Sequence, residues 1–197
     1  MATLLTPTTE LEAVNTCLTN IGESPVSSIT GDITVDAAMA RDLLRQITRE
    51  VQAYGFYWNT EIGYKLIPNN SKNLVLPANI LSVDTTGSDQ GMDLVARGRL
   101  LYDRRNHTYS FDKPVTVEMV VALAFEEMPE SARRYVAVRS ARTFQERVMG
   151  SGAISSFNKQ DEDNAQALLF AENTAIEDNN MLSGSDATMR IINRMAY

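Results

Sequence analysis

The sequence predicts an α+β fold, mainly a bundle of about four helices drawn from the N- and C-terminal segments, with a β-rich insertion in the middle of the chain. Three observations predict it. Apolar residues recur at helical spacing over roughly the first 55 residues and again after Pro129; the stretch between is broken into short apolar runs by Pro, Asn and Gly; and 197 residues suit one domain with a sizeable insertion, a typical domain being about 150. The expected division is residues 1–55 with 125–182 as the helical bundle, 56–124 as the insertion, and 183–197 as a C-terminal tail.

The first helix is announced by Thr9, which can cap, and by Glu12 three residues on, the pattern of a capping box. Leu11, Val14, Leu18 and Ile21 then share a face, and Gly22 is the expected stop because glycine enters the left-handed region without steric cost. Glu23 to Val35, with Pro25 and Gly31-Asp32, reads as an ordered connection. A second helix is expected from about Asp36 to Tyr54, striped by Leu43, Leu44, Ile47, Val51 and Tyr54; Ala37, Ala38 and Ala40 leave room for a close neighbour. In the insertion, Leu74-Val75-Leu76 and Ile80 to Val83 read as strands, Gly98 and Asn106-His107 as turns, and Val115 to Val121 as the clearest half-buried strand. Pro129 suits the first position of a third helix, with Ala137, Ala141, Phe144 and Val148 on its buried face and an end near Gly150. A fourth helix is expected from about Asn158 to Asn179, with Ala165, Leu168, Leu169, Glu172 and Ile176 stacked along it.

Composition narrows the function. With 44% hydrophobic and 22% charged residues the chain can bury a core, and 25 acidic against 18 basic residues give a net charge of −7, unlike a surface built to grip phosphates. Such a balance is compatible with a wall past which DNA slides. Cys17 is the single cysteine, so an intrachain disulfide and a thiolate metal cluster are both excluded. The N-terminus lacks the pattern of a signal peptide, and no run approaches the roughly 18 apolar residues of a membrane span. The expectation is a protein made in, and soluble in, cytoplasm, with no membrane contact.

Catalytic inventory is thin. His107 is the sole histidine and falls in a polar turn, and no phosphate-binding glycine loop or nucleophile elbow is present, so no cofactor is expected. Carboxylates are the available acid–base groups: Glu126, Glu127, Glu130, Asp161, Glu162 and Asp163 are candidates by type for a glycan hydrolase, which needs a convergent pair. Adjacent acids on a helix diverge by about 100°, so Asp161-Glu162-Asp163 reads as charge near a helix start. Catalytic, cofactor and metal residues are therefore assigned as none. Arg133, Arg134, Arg139, Arg142 and Arg147 give the third helix an unusual arginine density, either as a solvated flank or as intersubunit ion-pair partners.

A family pattern runs through the same residues. Glu12-Ala13-Val14-Asn15, Ile21-Gly22-Glu23-Ser24-Pro25-Val26-Ser27, Gly31-Asp32 and Asp36-Ala37-Ala38 resemble the N-terminal region of the tail tubular protein A family, the head-to-tail adaptors, or gatekeepers, of short-tailed podovirus-type phages. Tyr102-Asp103, Glu127-Met128-Pro129-Glu130, Phe144 with Arg147 and Gly150, and Asn180-Met181-Leu182 follow in the family's order, so the resemblance spans about residues 10 to 182. It implies a structural virion protein of the tail that forms a twelve-membered ring between the portal protein and the tail nozzle, tail tubular protein B. It also implies help in anchoring tail fibres and a channel through which DNA is ejected without sequence-specific binding. On this reading Arg139, Arg142 and Arg147 are interface candidates, and the tail with Arg190, Ile191, Ile192 and Arg194 is the segment expected to engage the portal. The alternative remains a carboxylate-dependent hydrolase of host surface polysaccharide; a DNA-binding regulator is disfavoured by the acidic balance.

Overall fold

The computed structural model describes the backbone of residues 6–150 and 152–184, and the side chains of residues 6–150 and 159–177. Its elements are α1 (Glu10–Asn20), α2 (Val35–Gln52), β1 (Thr60–Leu66), β2 (Ile80–Thr85), β3 (Leu94–Arg97), β4 (Leu100–Asp103), β5 (Val115–Val121), α3 (Glu130–Met149) and α4 (Gly152–Gly184). The fold is α+β with the strands in the middle of the chain. It divides into two compact units, residues 1–47 with 128–197, and residues 48–127.

In the helical unit, α1 packs on α3 and α3 on α4. The capping box expected at Thr9 is formed: the Glu12 backbone N–H donates to Thr9 Oγ1 at 3.2 Å, and the Thr9 backbone N–H donates to Glu12 Oε2 at 2.8 Å. Thr9→Ala is expected to cost about 1 kcal/mol, read as a lower midpoint in a far-ultraviolet circular dichroism melt. The helix ends at Asn20 with Ile21 as its cap, and Gly22 follows at φ +84°, as expected of a stop. Ala13, Val14, Cys17 and Leu18 are buried, whereas the expected Leu11 and Ile21 are half-buried. Burial pushes the Cys17 thiol up to about 12, so it is a packing residue rather than a nucleophile.

α2 ends at Gln52 rather than Tyr54 and α4 at Gly184 rather than Asn179, and two helix starts also differ from expectation. Pro129 is the cap of α3 rather than its first residue, with extended backbone at ψ 155°. A 3-10 turn at Phe125–Glu127 leads into it, and the extended ψ of Pro129 itself keeps that residue outside the helix, which begins at Glu130. The second difference is α4, which starts at Gly152 rather than near Asn158. Gly150, at φ +61°, already closes α3, and nothing between Ala153 and Asn158 breaks a new helix.

The unit of residues 48–127 holds a three-stranded antiparallel sheet of order β1-β5-β2 and a β3–β4 hairpin. β5 shows the alternation the sequence predicted: Val115, Val117 and Met119 are buried, and Glu118 is exposed. These residues join Leu66, Leu74, Leu76, Leu101 and Phe111 in one core cluster. Leu74 to Leu76 is not a strand; Val75 makes one bridge to Leu100, while Leu74 and Leu76 are buried and Pro77 prevents further pairing. The end of α2 is tied to the start of the sheet by Gln52 and Asn59, both almost fully buried. Asn59 Oδ1 accepts from Phe56 N–H at 2.8 Å, and Asn59 Nδ2 donates to the carbonyls of Gln52 and Val121.

Candidate functional site

Three of the five α3 arginines turn into the fold. Arg133 Nε donates to the Met128 carbonyl at 2.7 Å and its Nη1 to the Thr8 carbonyl at 3.0 Å, holding the residues before α1 against the start of α3. Arg142 Nε donates to Glu162 on α4, and its Nη1 meets Glu146 at 2.6 Å. Arg139 approaches the same Glu162 at 4.0 Å. The hydrogen bond to Glu162, ahead of that to Glu146, holds the Arg142 guanidinium more firmly protonated than usual. Arg134 and Arg147 are exposed, and Arg147 is followed by exposed Val148 and Met149. Arg190, Ile191, Ile192 and Arg194 lie outside the described residues.

The candidate carboxylates are also placed. Because α4 begins at Gly152, Asp161-Glu162-Asp163 lies inside the helix and not at its start, with Glu162 buried and its neighbours exposed. Glu130 accepts from the Thr8 backbone N–H and hydroxyl at 2.7 and 2.6 Å, and Glu127 accepts from the Ala124 N–H at 2.9 Å. Each therefore has a structural partner. A cleft of about 470 Å³ in the strand unit is lined by Asp89, Asp103, Asp112 and Lys113 among others. Asp89 there accepts from Thr116 N–H at 2.8 Å, and Asp112 pairs with Lys72 at 2.6 Å. Among the described residues no group of three or more His, Cys, Asp or Glu is arranged to hold a metal ion, and no helix is long and apolar enough to cross a membrane.

Asp103 organises the turn after β4. Its Oδ1 accepts from the Asn106 and Arg105 backbone N–H groups, both at 2.9 Å, and its Oδ2 from Asn106 Nδ2 at 2.8 Å. The Asn106 backbone N–H, first among these contacts, holds the carboxyl below the usual carboxylate range. A depressed folded value means stabilisation that is complete above the unfolded pKa, about 3.9, and lost as pH falls through the folded value. A loss of stability of this unit, read as a lower urea midpoint by the fluorescence of Trp58, the chain's single tryptophan, is therefore expected below about pH 4. Asp103→Asn should remove that component of the loss.

The remaining surfaces suit contact better than chemistry. His107 is exposed at φ +53°, as a turn residue, with the Tyr102 hydroxyl 3.5 Å from its Nδ1. β1 lies at an edge of its sheet and exposes Ile62 by 75% and Tyr64 by 47%. Val35 and Met39, one turn apart at the start of α2, are 74% and 50% exposed, and Leu168 on α4 is 63% exposed. Sequence reasoning missed these surfaces. It placed Leu168, Val148 and Tyr54 on buried stripes, yet all three are exposed, because helical spacing gives the direction of an apolar face and not its width.

A family model for tail tubular proteins matches residues 11–179, which takes in both compact units. The tail tubular protein A of Klebsiella phage KP34 is 34% identical over 128 residues, covering 65% of this chain and 67% of that protein. An α+β chain matched over most of its length by that family belongs to the tail tubular proteins and is a structural component of the phage tail.

Proposed function

We propose that the chain is the adaptor of the tail, assembling as a twelve-membered ring that joins the portal protein to the tail nozzle, tail tubular protein B. The ring helps to anchor tail fibres and leaves a channel through which DNA is ejected without sequence-specific binding. The observation that carries this reading is the family match across residues 11–179, joined by the 34% identity to a tail tubular protein A. The exposed apolar residues of α2, β1 and α4 supply contact surface, and a net charge of −7 disfavours retention of DNA in transit. Arg147, beside exposed Val148 and Met149, is the α3 arginine best placed for a neighbouring subunit; Arg139 and Arg142 act first within the chain. The segment carrying Arg190, Ile191, Ile192 and Arg194 is assigned to the portal on the family resemblance.

Co-sedimentation with preformed portal rings from the same genome tests the proposal, with electron microscopy of the fast fraction. A saturable complex with one added ring layer, twelve chains deep in mass, is expected. Portal rings that stay bare at saturating protein, while another tail protein binds them, would overturn it.

A further inference from the structure

The hairpin β3–β4 presents two unlike faces. Leu94, Ala96 and Leu101 point into the core cluster, so the alternation of the strands sends Val95, Arg97, Leu100 and Tyr102 outward. Val75, bridged to Leu100, is 43% exposed beside them, and Tyr109 packs on Tyr102 with ring centroids 4.7 Å apart. Arg97 lies over the Tyr102 ring at 3.7 Å, which covers one face of the guanidinium and leaves its N–H edge for an acceptor. From Arg97 to His107 the chain carries four arginines and one acid, Asp103, buried in its turn; Arg104 pairs with Asp93 at 3.6 Å and Arg99 donates to the Leu76 carbonyl at 3.2 Å, which leaves Arg97 and Arg105 as the basic rim. Arg97 and Arg105 are exposed. This is an apolar, aromatic centre with a basic rim on a chain whose net charge is −7.

The start of α2 is its opposite in charge. Val35 and Met39 stand out on one face, while Ala37, Ala40, Leu43 and Leu44 are buried. From Gly22 to Asp42 the acids are Glu23, Asp32, Asp36 and Asp42 against one cation, Arg41, which is turned to the Ile29 carbonyl at 3.1 Å and to Asp42 at 3.2 Å. An apolar pair is thus flanked by carboxylates.

We infer that the outer face of the β3–β4 hairpin docks on the acidic, apolar start of α2 in a second copy of this chain. The inference rests on the ring reading above and deepens it by naming the two faces of the contact. A ring needs a heterologous interface, one patch meeting a different patch of its neighbour, and these two patches are different and of opposite sign, the hairpin's half-buried at Val95, Leu100 and Tyr102 and exposed at Val75, Arg97 and Tyr109. Tyrosine and arginine around an apolar centre are the side chains that dominate protein–protein contacts, and opposite rims set register and suppress wrong pairings. A nucleic acid backbone fits less well, because Val75, Val95 and Leu100 offer phosphates nothing and the whole chain is acidic.

Reciprocal charge reversal tests the pairing, with formation of the ring layer on portal rings as the readout and thermal melts confirming that each variant is folded. Arg97→Glu with Arg105→Glu faces two negative patches toward each other, and Asp32→Lys with Asp36→Lys two positive ones. Each double variant alone is expected to weaken layer formation by about tenfold or more. An equimolar mixture of the two should restore it, as should all four changes on one chain, because every contact then pairs opposite signs again. If both double variants form the layer as the wild type does, the pairing is overturned and the ring stands. If both fail and neither mixture nor combined variant rescues, the two faces do not meet each other, and the inference is again overturned. Wild-type protein that adds no layer removes the ring reading and this inference with it. A hairpin variant that assembles normally but loses retention of duplex DNA at low salt would reassign the face to nucleic acid.

Discussion

Glu162→Ala is expected to destabilise the helical unit by about 2 to 3 kcal/mol, a fall on the order of 10 °C in its thermal midpoint. Glu162 is 7% exposed and receives the Arg142 guanidinium from the facing helix, with Arg139 at 4.0 Å on its other oxygen. Removing one partner of a buried pair costs about 3 to 5 kcal/mol because the other charge is left desolvated. The effect here is smaller, since the Arg142 side chain is 19% exposed and keeps Glu146 at 2.6 Å. Two controls separate the causes. Glu162→Gln retains an acceptor for Arg142 and should lose less, while Glu162→Leu with Arg142→Met removes both charges and should approach the wild type, because a well-packed apolar pair avoids the desolvation penalty. Far-ultraviolet circular dichroism on heating reads the outcome; an unchanged midpoint for Glu162→Ala would show that the pair adds nothing to α3–α4 packing. The consequence reaches assembly, because α4 leads into the segment proposed to meet the portal, and a loosened α4 should weaken portal co-sedimentation as well.

The same residue marks the limit of what the sequence discloses. Local signals were legible: the Thr9–Glu12 box, the stop at Gly22, the alternation of β5 and the turns at Gly98 and Asn106-His107 depend only on neighbours in the chain. The central placement of the strands was legible for the same reason, since a period of two and a period of 3.6 leave different patterns. What could not be read depends on which elements face each other. Five arginines spread around α3 gave no direction, and only α4 packing against it turns Arg139 and Arg142 toward Glu162. Glu162 itself, between Asp161 and Asp163, looked like one of three equivalent acids until the register of α4 buried it alone. The hairpin face was hidden because the β3–β4 register decides which of Arg97, Tyr102 and Tyr109 share a side, and Val75, more than twenty residues earlier, joins them only through a single bridge to Leu100.

Asn59→Ala should have the larger effect in the strand unit, about 2 to 4 kcal/mol. The side chain is 1% exposed and makes three hydrogen bonds, accepting from Phe56 N–H and donating to the Gln52 and Val121 carbonyls at 2.9 and 3.0 Å. Gln52, equally buried, completes the tie by donating to the Leu123 carbonyl at 3.0 Å and accepting from the Leu123 N–H at 2.7 Å. A typical hydrogen bond contributes about 1 kcal/mol net, but a buried donor left without an acceptor costs about 1 to 3 more. Alanine removes the Asn59 Oδ1 acceptor of the Phe56 N–H, whereas the Gln52 carbonyl still accepts from Gly55 N–H at 3.1 Å, which keeps the loss below the sum of three bonds. Urea titration followed by Trp58 fluorescence measures the loss in this unit, and far-ultraviolet circular dichroism follows the helices in parallel. The double variant Asn59→Ala with Gln52→Ala should cost less than the two single losses added together, because the residues hold the same junction between α2, β1 and β5. Strict additivity would mean that the two amides act independently, and that the end of α2 and the sheet are joined by packing rather than by this network.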